Sequence, residues 1–216
     1  TSIRGYADLL ARQLVGPLTD QQENFIEIIR RNISRMSALI SDLSDINKME
    51  SNRLALDIYN FDVSTAIDEV VNRFKTEIEQ KGQTISVELP PSPVHARADY
   101  SKTTQILGNL LSNAHRYTAE DGQITIRLSG GEEDDDYLRL EVVDNGLGMN
   151  DSELARATEM FFRSENPEVR EQAGWGLGLS VADMLVRRMR GRLILESRAD
   201  SGTRAILFLP QANVMR

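Results

Sequence analysis

"NLLSNAHRYT", residues 109–118, reads as the end of a helix with two unlike sides. At about 100° per residue, Asn109, Asn113, Arg116 and Tyr117 share one face. Ile106, Leu107, Leu110, Leu111 and Ala114 occupy the other, and they are core material. An asparagine ladder ending in a cation and an aromatic ring is poor core. It suits a nucleotide, because an amide oxygen can ligate Mg²⁺, a guanidinium can neutralise phosphate and a phenol ring can stack on a base. On these residues alone a solvated helix face is an equal reading. His115 sits about 200° around from Asn113 and points away from the polar face. His95, in "VHARAD", has no acidic or hydroxyl neighbour in sequence and reads as structural.

An apolar side on this helix needs a layer to cover, and the flanking sequence supplies one. "LALDIYNFD" reads as a strand leading into a turn, after which Ser64 caps a helix over 64–81 that Gly82 stops. Then come "TISVELP", "VHARAD", the helix over 100–117, "QITIRLS", an acidic turn "GGEEDDD" read as a solvated hairpin tip, and "YLRLEVVD". A glycine-rich stretch, a helix over 177–189 and the strands "RLILESR" and "TRAILFLP" finish the chain. Strands joined by tight turns beside three separate helices predict a two-layer α/β sandwich with a mixed sheet.

The amino-terminal quarter has a different texture. Residues 2–14 read as a helix broken by Gly16 and Pro17, and Thr19 with Gln22 forms a capping box. Nothing breaks the next helix from Asp20 to about Asn52, a rod of roughly 50 Å. Ile26, Ile29, Ile33, Met36, Ile40 and Leu43 make a heptad seam, widened by Phe25, Ile28, Leu39, Ile46 and Met49. So wide a stripe predicts an antiparallel hairpin that dimerises into a four-helix bundle; packing within one chain is the alternative. The expected architecture is therefore α+β, with a hairpin over 1–54 and a sandwich over 55–216.

Composition removes several function classes. The balance of 33 acidic to 25 basic residues, net −8, disfavours nucleic acid and anionic membrane as main partners. With no cysteine, disulfides, thiolate metal sites and thiol nucleophiles are excluded, and a cytoplasmic setting is permitted. No apolar run reaches the ~20 residues of a membrane-spanning helix. No leader is visible and the first residue is Thr1, so the chain is expected to be an excerpt whose parent could be membrane-anchored elsewhere.

Two glycine clusters complete the set of chemical motifs. In "VVDNGLGM", 142–149, Asp144 ends an apolar strand, where a carboxylate can accept from an exocyclic amine. In "GWGLGLS", 174–180, three glycines precede a helix and can bring backbone N–H groups against phosphate. The second is not a dinucleotide fingerprint, and no P-loop is present.

In this order the segments resemble the sensor histidine kinases of two-component systems over nearly the whole chain. "NLLSNAHRYT" is similar to that family's N box, "DNGLG" to its first glycine box, "MFFR" (160–163) to its F box, "GWGLGL" to its second glycine box, and "SGTRAILFLP" to its closing strand. The hairpin resembles the dimerisation and phosphotransfer region. The resemblance implies that Asp144 binds the adenine amino group, helped through water by Thr203. It implies that Asn113 ligates Mg²⁺, that Asn109 supports it, that Arg116 contacts phosphate and that Tyr117 flanks adenine. Gly146 and Gly148 would make room for the base, and Gly174, Gly176 and Gly178 would wrap the triphosphate. Met149, Phe162 and Leu177 join the implied ATP-binding positions. Residues 150–173 would form a lid anchored by Phe161 and Phe162, with Arg163 steadying charge on the transferring phosphoryl group.

Hydrolysing relatives of this superfamily carry a glutamate where this chain has Asn109, and an amide is no general base at neutral pH. Transfer to another acceptor is therefore the implied reaction. The family's acceptor histidine would fall about two helical turns before Thr1, and a response-regulator aspartate would take the phosphoryl group from it. Two rivals stay open: a serine kinase of the anti-sigma type, which lacks such a hairpin, and a degenerate kinase acting as a dimeric scaffold.

Overall fold

A computed structural model describes residues 2–131, 136–172 and 174–212, so most of the acidic tract at 132–136 lies outside the described residues. The chain separates into two compact units, Thr1–Arg53 and Leu54–Arg216. The division falls one residue before the expected boundary.

The first unit is a hairpin of α1 (Ser2–Ala11) and α2 (Asp20–Glu50). α1 ends three residues earlier than expected, in turns that place Gln13 at φ 54. Thr19 caps α2 as the sequence indicates. Its hydroxyl accepts from the Gln22 N–H (3.3 Å) and its own N–H donates to Gln22 Oε1 (2.9 Å). Arg30 pairs with Asp8 at 2.9 Å across the hairpin, where Ala7 and Ile26 are buried. Much of the seam is bare, with Met36 60% and Ile40 64% exposed. Thr19→Ala is expected to cost about 1 kcal/mol, the usual worth of an N-cap hydroxyl, seen as an earlier loss of helical circular dichroism on heating.

In the second unit the elements are β1 (Tyr59–Asp62), α3 (Val63–Gln80), β2 (Thr84–Glu88), β3 (His95–Ala98), α4 (Tyr100–Tyr117), β4 (Gln123–Ser129) and β5 (Tyr137–Asp144). Two short helices follow, α5 (Asp151–Leu154) and α6 (Pro167–Glu171), then α7 (Gly178–Arg188), β6 (Arg192–Ser197) and β7 (Thr203–Pro210). Five strands form one sheet in the order β2-β4-β5-β7-β6, with β2 parallel to β4 and the other pairs antiparallel. The mixed sheet and three long helices agree with the expected α+β sandwich. Alternation along the strands buries Ile124, Ile126, Leu138, Leu140, Leu207 and Leu209. They meet the buried stripes of α4 (Ile106, Leu107, Leu110, Leu111) and α7 (Val181, Leu185, Val186). On the opposite face Glu141 lies buried between Arg139 (2.6 Å) and Arg204 (2.9 Å).

Three local expectations are corrected. β1 runs straight into α3 with no intervening turn, and it pairs with β3 as a separate ribbon. Asp62, not Ser64, caps α3: its carboxylate accepts from the Ser64 N–H (2.9 Å) and hydroxyl (2.8 Å). Both residues are good caps, and the strand's end places the aspartate first. α7 starts at Gly178, with Leu177 in the cap position and no side-chain cap on its first N–H groups.

Candidate functional site

Asp144 is the last residue of β5 and is half-buried. Its Oδ1 accepts from the N–H of Gly146 (2.9 Å) and of Thr203 (3.2 Å). One oxygen is thus pinned by backbone, which leaves Oδ2 as the acceptor a ligand can use. Burial pushes the carboxyl pKa up, and the two N–H groups partly offset that rise. The loop after it is tied down on both sides. Leu147 N–H donates to the Tyr117 carbonyl (3.1 Å), and Leu147 O accepts from Asp200 N–H (2.7 Å). A Cβ on Gly146 would lie 2.4 Å from the Tyr117 oxygen, so only glycine permits this approach. Thr203 shares its hydroxyl with Ser197 (2.9 Å), and Ser197 Oγ accepts from the Met149 N–H (2.9 Å). Asp144, Gly146, Gly148, Met149 and Thr203 therefore form one cluster at the ends of β5, β6 and β7.

α4 carries that cluster toward the second glycine segment. Asn109 Nδ2 donates to the Gly178 carbonyl at 3.1 Å, a bond that leaves the amide oxygen as its remaining acceptor. A Cβ on Gly174 would come within 3.2 Å of the Arg116 guanidinium, so these two residues face each other. The Arg116 guanidinium also lies 5.9 Å from the Tyr117 ring centre. Asn113 lies on the same face of α4, and its side chain makes no hydrogen bond among the described residues. Oxygen donors on Asn109 and Asn113 fit a hard cation such as Mg²⁺, which keeps few protein ligands and takes the rest from phosphate and water. Among the described residues there is no group of three or more His, Cys, Asp or Glu that could hold a metal without such help.

Residues 98–213 match the family model of the histidine kinase-, DNA gyrase B- and HSP90-like ATPases, and residues 1–52 match the His Kinase A (phospho-acceptor) domain. The chain belongs to the sensor histidine kinases. Its relatives include the histidine protein kinase DivJ of Caulobacter vibrioides, 30% identical over 209 residues and covering 97% of this chain. The sensor histidine kinase WalK of Bacillus subtilis is 27% identical over 210 residues, again 97% of the chain. The chain spans about a third of the length of each, 34% in both cases. The fold is shared with ShkA, whose full-length crystal structure is a complex with AMPPNP (TM-score 0.78, 23% identity, covering 99% of this chain and 43% of that one). It is shared also with the Acinetobacter baumannii histidine kinase AdeS (TM-score 0.71, 19% identity, covering 98% and 95%).

In the second unit the segment over 150–172 is held mostly by its own polar contacts. Asn150 and Glu153 form a capping box at α5, and Glu153 also takes the Ser164 hydroxyl. Phe161 adopts φ 63, is 62% exposed, and donates its N–H to the Gly176 carbonyl at 2.9 Å. A Cβ on Gly176 would lie 2.5 Å from the Phe162 carbonyl, so the phenylalanine pair and the glycine segment are docked backbone to backbone. Arg156 stacks over the Phe162 ring at 4.4 Å. Arg163 is differently placed from the role the resemblance implies. Its guanidinium donates to the carbonyls of Val169 (2.8 Å) and Arg170 (3.2 Å), closing the end of α6 instead of facing Asn109 and Gly178.

Neither histidine belongs to the site. His115 Nδ1 is bonded to Gln83 Oε1 (2.6 Å), and burial first, then the charges of Lys81 and Arg116, lowers its pKa. His95 pairs in the β1–β3 ribbon, where its Nδ1 is buried. A cavity of about 460 Å³ also lies elsewhere: Ile58, Arg97, Arg188, Met189, Arg190 and Pro210 line it, without any of the motif glycines. Sequence reasoning missed Ser197 and Gly202. Gly202 lies in the quoted "SGTRAILFLP", and its place directly before Thr203 was the available signal.

Proposed function

We propose that the second unit binds Mg-ATP and that the whole protein transfers its γ-phosphoryl group to a histidine for relay to a receiver-domain aspartate. The observation that carries this reading is the backbone-pinned Asp144 joined through α4 to the glycine segment over 174–178. Asp144 Oδ2 accepts from the adenine amino group, and Thr203 lies beside it to share a bridging water. Gly146 and Gly148 let the loop close on the base, and Tyr117 flanks it with Met149. Arg116 and the N–H groups of Gly174, Gly176 and Gly178 hold the phosphates, the uncapped start of α7 at Leu177 adding its dipole. Phe162 anchors the overlying segment, which excludes water.

Asn113, supported by Asn109, would hold Mg²⁺, which would supply neutralisation of phosphate charge. In the transfer an acceptor-histidine nitrogen bonds to the γ-phosphorus while the bond to the β–γ bridging oxygen breaks and ADP leaves with the electron pair. With Asn109 in place of a carboxylate, nothing there activates water by proton abstraction, which supports transfer over hydrolysis. For Arg163 the phosphoryl-stabilising role requires the guanidinium to leave the α6 carbonyls. This reading assigns the acceptor role to neither His95 nor His115. The bare seam of α2 supports a homodimer through the hairpin. Among the described residues no helix is long and apolar enough to cross a membrane; the cytoplasmic setting is part of the proposal.

Titration with a fluorescent ATP analogue tests the reading. Binding should appear with Mg²⁺, and Asn113→Ala should abolish most of the gain that Mg²⁺ brings. Absence of binding to the wild-type chain overturns the proposal.

A further inference from the structure

The helix that carries the site's polar face ends among carbonyls that its own turns cannot satisfy. Two side chains from the junction of α3 and β2 meet them. Lys81 Nζ donates to the carbonyls of His115 (2.9 Å), Arg116 (3.3 Å) and Thr118 (2.6 Å). Gln83 Nε2 donates to those of His115 (3.1 Å), Thr118 (2.7 Å) and Ala119 (3.1 Å). The Gln83 amide cannot flip, because its oxygen would then face three carbonyl oxygens; as placed, that oxygen meets His115 Nδ1 at 2.6 Å. An ammonium drawn out of water is costly unless its donors are used, and here the negative end of α4 uses them.

The capped carbonyls bracket one that the cap leaves to another partner. Tyr117 O receives the Leu147 N–H at 3.1 Å and bears on Gly146. Leu147 and Gly146 belong to the loop that pins Asp144. The same turn aims Arg116 at Gly174. A displacement of the last turn of α4 would therefore move the base-reading carboxylate's loop and the phosphate-facing guanidinium together.

We infer that Lys81 and Gln83 are positioning residues for nucleotide binding, acting through the last turn of α4 and the Tyr117–Leu147 bond. The inference rests on the nucleotide reading above. Lys81→Met keeps the length of the side chain and removes its donors. Its affinity for the ATP analogue should fall about tenfold, the equivalent of one charge-assisted hydrogen bond. Lys81→Arg, which keeps donors, should recover part of the loss. Hydrogen exchange separates positioning from general weakening: the Leu147 amide should lose protection in Lys81→Met while the paired amides of β5 and β7 keep theirs. Gln83→Met serves as the second variant if Lys81→Met does not fold. Unchanged affinity overturns the inference, as does a loss of protection spread evenly over β5 and β7. If the wild-type chain binds no nucleotide, the nucleotide reading fails, and an unchanged Leu147 amide would still overturn the coupling separately.

Discussion

Asp144→Asn is expected to make the second unit more stable at neutral pH while weakening ATP binding about a hundredfold or more. The two effects come from the same pair of oxygens. Oδ1 is held by the N–H groups of Gly146 and Thr203, and an asparagine oxygen can accept both bonds in its place. The amide nitrogen then takes the position of Oδ2. A donor faces the adenine amino group, itself a donor, where an acceptor stood. Replacing a charge-assisted bond by an unpaired donor is worth about 3 kcal/mol, or two decades of affinity.

The stability effect has the opposite sign because burial raises the Asp144 pKa. A raised pKa means that the folded state holds its proton to higher pH than the unfolded chain does. The stabilisation is full below the ordinary value of 3.8 and is lost as pH rises through the raised one. Wild type therefore carries a net cost at pH 7 that the amide lacks. Thermal unfolding of both proteins from pH 3 to pH 8 checks this: the variant's advantage should be present at neutral pH and shrink on acidification. A variant less stable than wild type at pH 7, or one binding ATP as wild type does, would contradict the pinned-carboxylate geometry.

Elements decided by their own residues were legible in the sequence. The capping box of Thr19 and Gln22, the span of α4, and the alternation of β4 and β5 rest on local periodicity and caps. The cap of α3 was misread because Asp62 and Ser64 are both capping residues two positions apart, and only β1's pairing with β3 decides between them. Residues acting across long sequence separations left no such trace. Lys81 and Gln83 meet carbonyls more than thirty positions away, and no local pattern marks a lysine as a helix cap. Ser197 looks like the ordinary polar end of a strand until β6 and β7 bring it to Met149 and Thr203. The polar face of α4 had two readings from spacing alone. What favours the functional one is Asn109 meeting Gly178 and Arg116 meeting Gly174, contacts between segments over fifty residues apart.

Gly202→Ala is expected to be among the most damaging single-methyl changes in the second unit. Gly202 adopts φ +82, and a Cβ there would stand 1.9 Å from the Asp144 carbonyl oxygen and 2.8 Å from Asn145 Cα. Both obstacles are backbone, so neither can rotate away. Relief requires the β6–β7 turn to move off the end of β5, which also withdraws the Thr203 N–H from Asp144. The expected cost is about 3 kcal/mol or more, from left-handed strain and overpacking combined. Nucleotide binding should be lost even below the lowered melting temperature. Gly178→Ala makes the contrast, because its Cβ would meet nothing nearer than Asn109 Cγ at 3.7 Å and the residue opens α7 in the first turn. It should fold with wild-type stability or slightly better, since alanine favours a helix. Differential scanning calorimetry of the two variants, with the ATP analogue titrated into each, separates them. Equal melting temperatures for the two would show that the β6–β7 turn does not bear on Asp144 as the geometry requires.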